Sequence, residues 1–586
     1  MVKILGINAY HGDSSACLVI DGKLVNAIEE ERIRRIKHWA GLPSEAIKWC
    51  IQDSGISIGD IDYIAIARNP SANISTKLFQ FLTKPFMFKF LIDRIFSASK
   101  AINLRLILAK ELGVDHTNLK AKIVKIEHHR AHIASAFYVS PFEEAACLTV
   151  DGFGDFVSTM RAIGKGNKIE VIDSVKYPHS LGIFYTALTQ YLGFWKYGDE
   201  YKVMGLSAYG NPVYLDKLKE IVRVTDNGLF ELSLKYFTHD KYGVEMSWHN
   251  GEPDIKKLFS NKLEELLGPA RKKEDEITQH YKDIALAIQE TYENIFFHML
   301  NALYIKTGQG NLILAGGCIQ NSLANGKIKN NTQFKNIYIP PTTSDAGLAV
   351  GAAMFLWNQV LGNSRKCIMD NPYLGPSFTK SLIEGEISRL SSEIDKSSCN
   401  IETFNDEDDL CKKAADLISK GKIVGWFQGR TEWGPRALGN RSILADPRMK
   451  NMKEILNKRI KRRESFRPFA PSILEEKVTD WFENADFVPF MEKVYVIKTS
   501  KRQYIPAVCH EDGTGRLQTV SSKMNLRYYK LIKNFDEITG IPMVLNTSFN
   551  DNEPIVNTPS DALKCFLSTQ MDNLIIGDFI ITKNAK

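Results

Sequence analysis

The chain has 586 residues, 44% of them apolar and 24% charged, with a formal charge of +7. At roughly 150 residues per domain this is ordinary globular protein with more than one domain. The small positive excess permits an anionic substrate but does not imply nucleic acid. There is no run of about 18 uncharged apolar residues, which excludes a transmembrane helix. The nine scattered cysteines include no CxxC pair; they exclude a disulfide framework or zinc ribbon and point to a reducing cytoplasm.

The N-terminus, MVKILGINAY, lacks a signal-peptide pattern and reads as a first strand. Residues 2–10 and 16–20 form two strands joined by HGDSS, with Asp21-Gly22 as a hairpin turn. A turn rich in Gly and Ser can offer N–H groups and hydroxyls to a phosphate. The following EEERIRRIKHWAG clusters Arg34, Arg35, Lys37 and His38, a pattern usual for a solvated face. Residues 76–112 read as a partly amphipathic helical lid or insertion, with a membrane-surface helix as the less favoured reading.

The stretch from Glu127 to Asp155 carries the densest chemistry. It has three histidines in five residues, HHRAH, and a strand, AACLTV, that ends in DGFGD. A helix from His128 to about Tyr138, stopped at Pro141, puts His128 and His132 on one face at i,i+4. Two imidazoles at that spacing can share a metal ion, although a chance surface pair reads the same way. Asp151 falls at the C-terminal end of the strand, where α/β sheets place ligand groups. Two His and one carboxylate leave coordination positions open for substrate.

SLGIFYTALTQYLGF and EYKVMGLSAYG suit the wall of a cleft or plain core packing, and 276–306 reads as a long amphipathic helix. NLILAGGCIQNSLANGKI reads as strand, glycine turn, helix, with Gly316 and Gly317 allowing close approach of a nucleotide. In 336–355 a strand leads through Pro-Pro to TSDAGLAVGAAM, and Asp345 stands at a helix mouth as Asp151 stands at a strand end. Two such units predict an α/β fold, the duplicated ATPase domain of actin, sugar kinases and Hsp70.

A polar, turn-rich stretch at 361–408 is expected to connect this domain, 1–360, to a second one, 409–586. The second opens with a helix at 409–420 and a strand, KIVGWFQG. Arg436, Arg441, Lys461, Arg463 and Arg467 then alternate with Gly, Pro and Phe. Arginine suits bidentate contact with phosphate or carboxylate. An RNA-binding surface is the competing reading, but spaced stacking aromatics are not evident.

HHRAH, DGFGD, EYKVMGLSAYG, GGCIQNSLANG and TSDAG, followed by WGPRALGNRSI, KRRESFRPFAPS, DGTGR and NTSFN, span nearly the whole chain in order. In this the chain resembles the O-carbamoyltransferases of the nodulation, cephamycin and tobramycin type. The resemblance implies an N-terminal domain like that of the tRNA threonylcarbamoyl transferases and a YrdC-like C-terminal domain. It implies that carbamoyladenylate forms from carbamoyl phosphate and ATP in the second domain, with Mg2+ accompanying ATP. The carbamoyl group then passes to an acceptor hydroxyl in the first. By position, His128, His132, Asp151 and Asp345 would hold a divalent metal, Fe2+ in the family. Lys461, Arg467, Arg516 and Ser548 would hold carbamoyl phosphate and the adenylate's phosphate, with Arg436 and Arg441 as further nucleotide contacts. Gly316, Gly317 and Asn321 would line the first domain's nucleotide site. His11 and Lys37 are candidates for roles near the acceptor.

One departure bears on His11. Many relatives place His directly before Asp in the first turn, whereas here Gly12 intervenes. HHRAH also leaves His129 with His132 as an alternative ligand pair. A tRNA-modifying or nucleic-acid-binding protein of related fold and an ATPase-fold kinase are the competing functions. RRESFRPFAPS and NTSFN would have no use in a kinase.

Overall fold

The computed structural model describes residues 1–74, 76–77 and 104–584. It divides into two compact units, Met1–Met369 and Asp370–Lys586. Most of the stretch expected to connect the domains is therefore part of the second unit. It carries helices at Lys380–Arg389 and Ser391–Lys396 and a strand at Cys399–Thr403 paired with Phe579–Lys583. Its polar composition reflects an exposed edge strand and surface helices rather than a linker.

The first unit contains one sheet arrangement twice. β1 (Lys3–Asn8), β2 (Ser15–Ile20), β3 (Lys23–Glu29), β4 (Tyr63–Ile66) and β5 (Lys122–Lys125) lie in the order 3-2-1-4-5. After helix α1 (His128–Phe137), the strands β6 (Glu144–Gly154), β7 (Val157–Lys165), β8 (Lys168–Lys176), β9 (Asn311–Ala315) and β10 (Asn336–Tyr338) repeat that order. In each sheet the first three strands are antiparallel neighbours and the last two join in parallel. The expected duplication is thus present strand for strand.

Helix α2 (Leu348–Phe355), wholly buried, packs on both β1 and α1. Its sequence, LAVGAAMF, makes this possible. A Cβ at Gly351 would sit 1.9 Å from the Ala131 carbonyl oxygen of α1, and one at Gly6 would sit 2.1 Å from the Ala349 carbonyl oxygen. Glycine at both points lets backbones touch, which fixes the approach to α2 against the histidine helix.

The expected strands and helices of the second unit appear, with a helix at Glu407–Ser419 and a strand at Val424–Phe427. The unit is built on one mixed nine-stranded sheet. Of the lid expected at 76–112, residues 104–112 are helical and 78–103 lie outside the described residues. Among the described residues no helix is long and apolar enough to cross a membrane.

Candidate active site

Helix α1 begins where Glu127 caps it, accepting hydrogen bonds from the backbone N–H groups of His129 and Arg130. Its first turn presents His128 and His132 to the end of β6. The His132 Nε2 lies 3.0 Å from Asp151 Oδ2 and 3.1 Å from His128 Nε2. Asp345 Oδ1 completes the group at 3.4 Å from His132 Nε2 and 3.5 Å from His128 Nε2. One donor atom from each of the four residues falls within 4.8 Å of the others.

Three features position Asp151 and His128. Gly317 N–H donates to Asp151 Oδ1 at 3.1 Å. Ser180 Oγ donates to the carbonyls of Asp151 and Gly152 at 3.0 and 2.8 Å. Gly154 is required because a Cβ there would stand 2.0 Å from the His128 ring. The first glycine of the Gly316–Gly317 pair adopts φ +99° against the Val150 carbonyl. The pair thus orients Asp151, a role that reading it as a nucleotide turn missed. Asn321 caps the following helix and exchanges amide hydrogen bonds with Gln289.

His129 is excluded from the ligand set. Its Nε2 donates to the Val157 carbonyl at 3.0 Å, which leaves Nδ1 to accept from Thr149 Oγ1 at 2.7 Å. Burial and the neighbouring histidines keep this ring neutral, its pKa well below the ordinary value. Burial also opposes charge on His132, but hydrogen bonds and attraction from Asp151 and Asp345 outweigh it and push the pKa up to about 9. Burial raises the Asp345 carboxyl, and the Asp151 charge raises it further.

The HGDSS turn closes one side. Its hydroxyls do not face a phosphate as expected: Ser14 Oγ donates to the Gly41 carbonyl at 2.8 Å and Ser15 Oγ to the Ala346 carbonyl at 2.7 Å. His11 Nδ1 lies 3.8 Å from Asp345 Oδ2, and its ring centroid 5.3 Å from that of His128. Lys37 is exposed, while its neighbour His38 turns inward and meets Asp13 Oδ1 through Nδ1 at 2.6 Å. The basic run is therefore only partly solvated, with Lys37 exposed and Arg34, Arg35 and His38 half-buried. Arg32 is buried, and Arg34 is tied to the buried Glu30 at 2.6 Å.

In the second unit, Lys461 is buried and its ammonium donates to Ser548 Oγ at 3.2 Å and to Asn550 Oδ1 at 2.7 Å. Arg516 bonds the Met491 carbonyl through Nε at 3.1 Å, while its Nη2 is buried with no hydrogen-bond partner. Burial, then the nearby Arg436 charge, pulls the Arg516 pKa well down. Arg467 is half-buried, 3.6 Å from Glu464. Arg441 departs from expectation. Its guanidinium, stacked 3.8 Å over the Phe427 ring, donates to the carbonyls of Gln428, Asn440, Gly429 and Pro376. It ties loops together instead of facing a nucleotide.

A family model described as the carbamoyltransferase N-terminus matches residues 3–354, and one described as the carbamoyltransferase C-terminus matches 415–583. The chain belongs to the carbamoyltransferase family. The enzyme is a transferase, and it is similar along nearly its whole length to bacterial proteins. An uncharacterized protein of Synechocystis, sll1178, is 39% identical over 620 residues, covering 100% of this chain and 97% of that one. The nodulation protein NolNO of Sinorhizobium fredii is 37% identical, covering 98% of this chain and 80% of its own length. Among solved structures, T. kodakarensis HypF matches at 15% identity and a TM-score of 0.32, covering 62% of this chain and 48% of that one. That likeness adds nothing to the assignment.

Proposed function

We propose that this carbamoyltransferase is an ATP-dependent O-carbamoyltransferase. It forms carbamoyladenylate from carbamoyl phosphate and ATP with Mg2+, then transfers the carbamoyl group to a hydroxyl of a small-molecule acceptor. The observation that carries the reading is the convergence of His128, His132, Asp151 and Asp345 on one point. The four fit a divalent cation. Two ring nitrogens face each other at 3.1 Å beside two carboxylates, and Asp345 Oδ1 is buried 3.4 and 3.5 Å from those nitrogens. A cation there, Fe2+ by the family resemblance, would act as a Lewis acid toward the adenylate.

The protein's own groups supply the remainder. Carbamate is a poor electrophile until one of its oxygens becomes part of a leaving group, and adenylation makes that group AMP. The unsatisfied Arg516 Nη2, with Arg436 nearby, offers fixed positive charge to the phosphate of carbamoyl phosphate or of the adenylate. Lys461 shapes the same loop by anchoring Ser548 and Asn550. Gly316 and Gly317 serve the first unit's ligand site by holding Asp151.

The test supplies ATP and labelled carbamoyl phosphate to the purified enzyme together with a panel of sugars and hydroxylated secondary metabolites. Carbamoyl-phosphate-dependent pyrophosphate release and a labelled carbamate ester are expected. Absence of that pyrophosphate release would overturn the reading.

A further inference from the structure

Asp13 and His38 form a pair that the ligand set leaves unused. Both sit in left-handed backbone, at φ 57° and 55°, a conformation that non-glycine residues adopt at some cost. Asp13 Oδ1 takes the Nδ1 side of the ring at 2.6 Å, and Glu31 accepts the His38 backbone N–H at 2.8 Å. Nε2 is left without a hydrogen bond among the described residues, on a side chain that is 33% exposed. The opening is made by glycines. A Cβ at Gly198 would come within 2.6 Å of Nε2, and one at Gly12 within 2.6 Å of the Tyr197 hydroxyl. Gly12 therefore makes room for Tyr197, whose ring meets His38 edge-on at 5.1 Å. Burial and the charges of Asp13, Asp345 and Asp151 all hold the Tyr197 phenol neutral.

We propose that His38, oriented by Asp13, is the catalytic base that takes the proton from the acceptor hydroxyl. The inference rests on the proposed carbamoyl transfer. As the acceptor oxygen bonds the carbamoyl carbon, its proton moves to Nε2, the bond from that carbon to the phosphate oxygen breaks, and AMP leaves with the electron pair. Nε2 then returns the proton to solvent. Fixing Nδ1 with a carboxylate directs the opposite nitrogen at a hydroxyl, the arrangement hydroxyl nucleophiles require. Asp13, Glu31 and Lys37 act electrostatically on His38, which in turn acts on Glu200. Burial lowers the proton affinity of the ring, but Asp13 and Glu31 raise the pKa to about 9. The free-base fraction, and the transfer rate with it, is expected to climb with pH until about 9. Asp13, Glu31 and His38 also lie close enough to chelate a cation. However, their hydrogen bonds to one another already close the set.

The experiment gives wild type, His38→Ala and Asp13→Asn two probes, hydroxylamine and molar glycerol, with ATP and labelled carbamoyl phosphate. Hydroxylamine attacks through a nitrogen lone pair without first losing a proton, whereas glycerol needs a base. His38→Ala should lose about 100-fold or more with glycerol, far less with hydroxylamine, and recover part of the glycerol product on addition of imidazole. Asp13→Asn should shift the pH optimum toward neutrality. In metal-free protein, imidazole-labelled nitrogen resonances should show the Nδ1 proton bonded to a carboxylate, and lose that signature in Asp13→Asn. Equal losses with both probes, no rescue by imidazole, or a His38 resonance that responds to added Mg2+ or Zn2+ would overturn the assignment. A wild type that carbamoylates neither probe would sink the transfer reading instead.

Discussion

The two units handle charge in opposite ways. In the first, anions and imidazoles are pressed together until four donor atoms share one point. In the second, two arginines are used differently. Arg441 is consumed by four carbonyls and a phenylalanine face, while Arg516 keeps a buried N–H group without a partner. A cluster of convergent lone-pair donors asks for a cation at its centre, and an unsatisfied buried guanidinium asks for an anion. The comparison separates a guanidinium whose two terminal nitrogens are both taken by carbonyls from one whose Nη2 stays open.

The largest effect that would break it is expected at His132. His132→Ala removes one of four ligands and should cut carbamoyl transfer by about 10³-fold. It should also lower bound transition metal, read by elemental analysis, while leaving carbamoyl-phosphate-dependent pyrophosphate release largely intact. Equal loss of both activities would erase the division of labour between the units.

Next come the two arginines, whose outcomes should have opposite character. Arg516→Met should raise the KM for carbamoyl phosphate about 100-fold with little loss of stability, because it removes a buried donor that the fold does not pair. Arg441→Met should lower unfolding free energy by about 3 kcal/mol in urea titrations, with the KM of the folded fraction unchanged. If the two variants behaved alike, an open terminal guanidinium nitrogen would be no guide to function.

A smaller effect concerns the helix contact behind the ligands. Gly351→Ala forces a methyl into the Ala131 carbonyl and should cost about 2 kcal/mol, with metal affinity falling as Asp345 is displaced. Chemical denaturation and metal titration of the same variant check both parts.

The smallest concerns the Asp13–His38 pair. Its folded pKa is raised, so its contribution to stability is fully present below the ordinary histidine value and is lost as pH rises through about 9. The difference in melting temperature between wild type and His38→Gln should shrink over that window. A difference constant with pH would mean that the pair carries no charge-dependent stability.

What the sequence made legible was local. HHRAH, DGFGD and TSDAG lie within single elements, and helical spacing and strand ends suffice to aim their side chains. The duplication could be read from recurring glycine turns and acidic ends. What stayed hidden depends on partners remote in sequence or on backbone atoms. The carbonyls that occupy Arg441 carry no residue signature, so an arginine among glycines and prolines looks the same whether buried or poised. Asp13 and His38 meet across 25 positions. The need for Gly12 lies in Tyr197, which no short motif connects to it.

The repeated sheet order also shapes the site. The β1–β2 turn bearing His11 and Asp13 and the β6–β7 turn beyond Asp151 occupy equivalent places in the two halves. The first of them reaches the ligand set, where the His11 ring approaches that of His128 on α1. A site at the junction of a doubled module is met by one arm from each half, and here the arms differ: one carries His11 and Asp13, the other ends the strand that bears Asp151. Transplanting either loop into its twin's position should therefore give a chain that folds but has two arms of one kind and no chemistry between them.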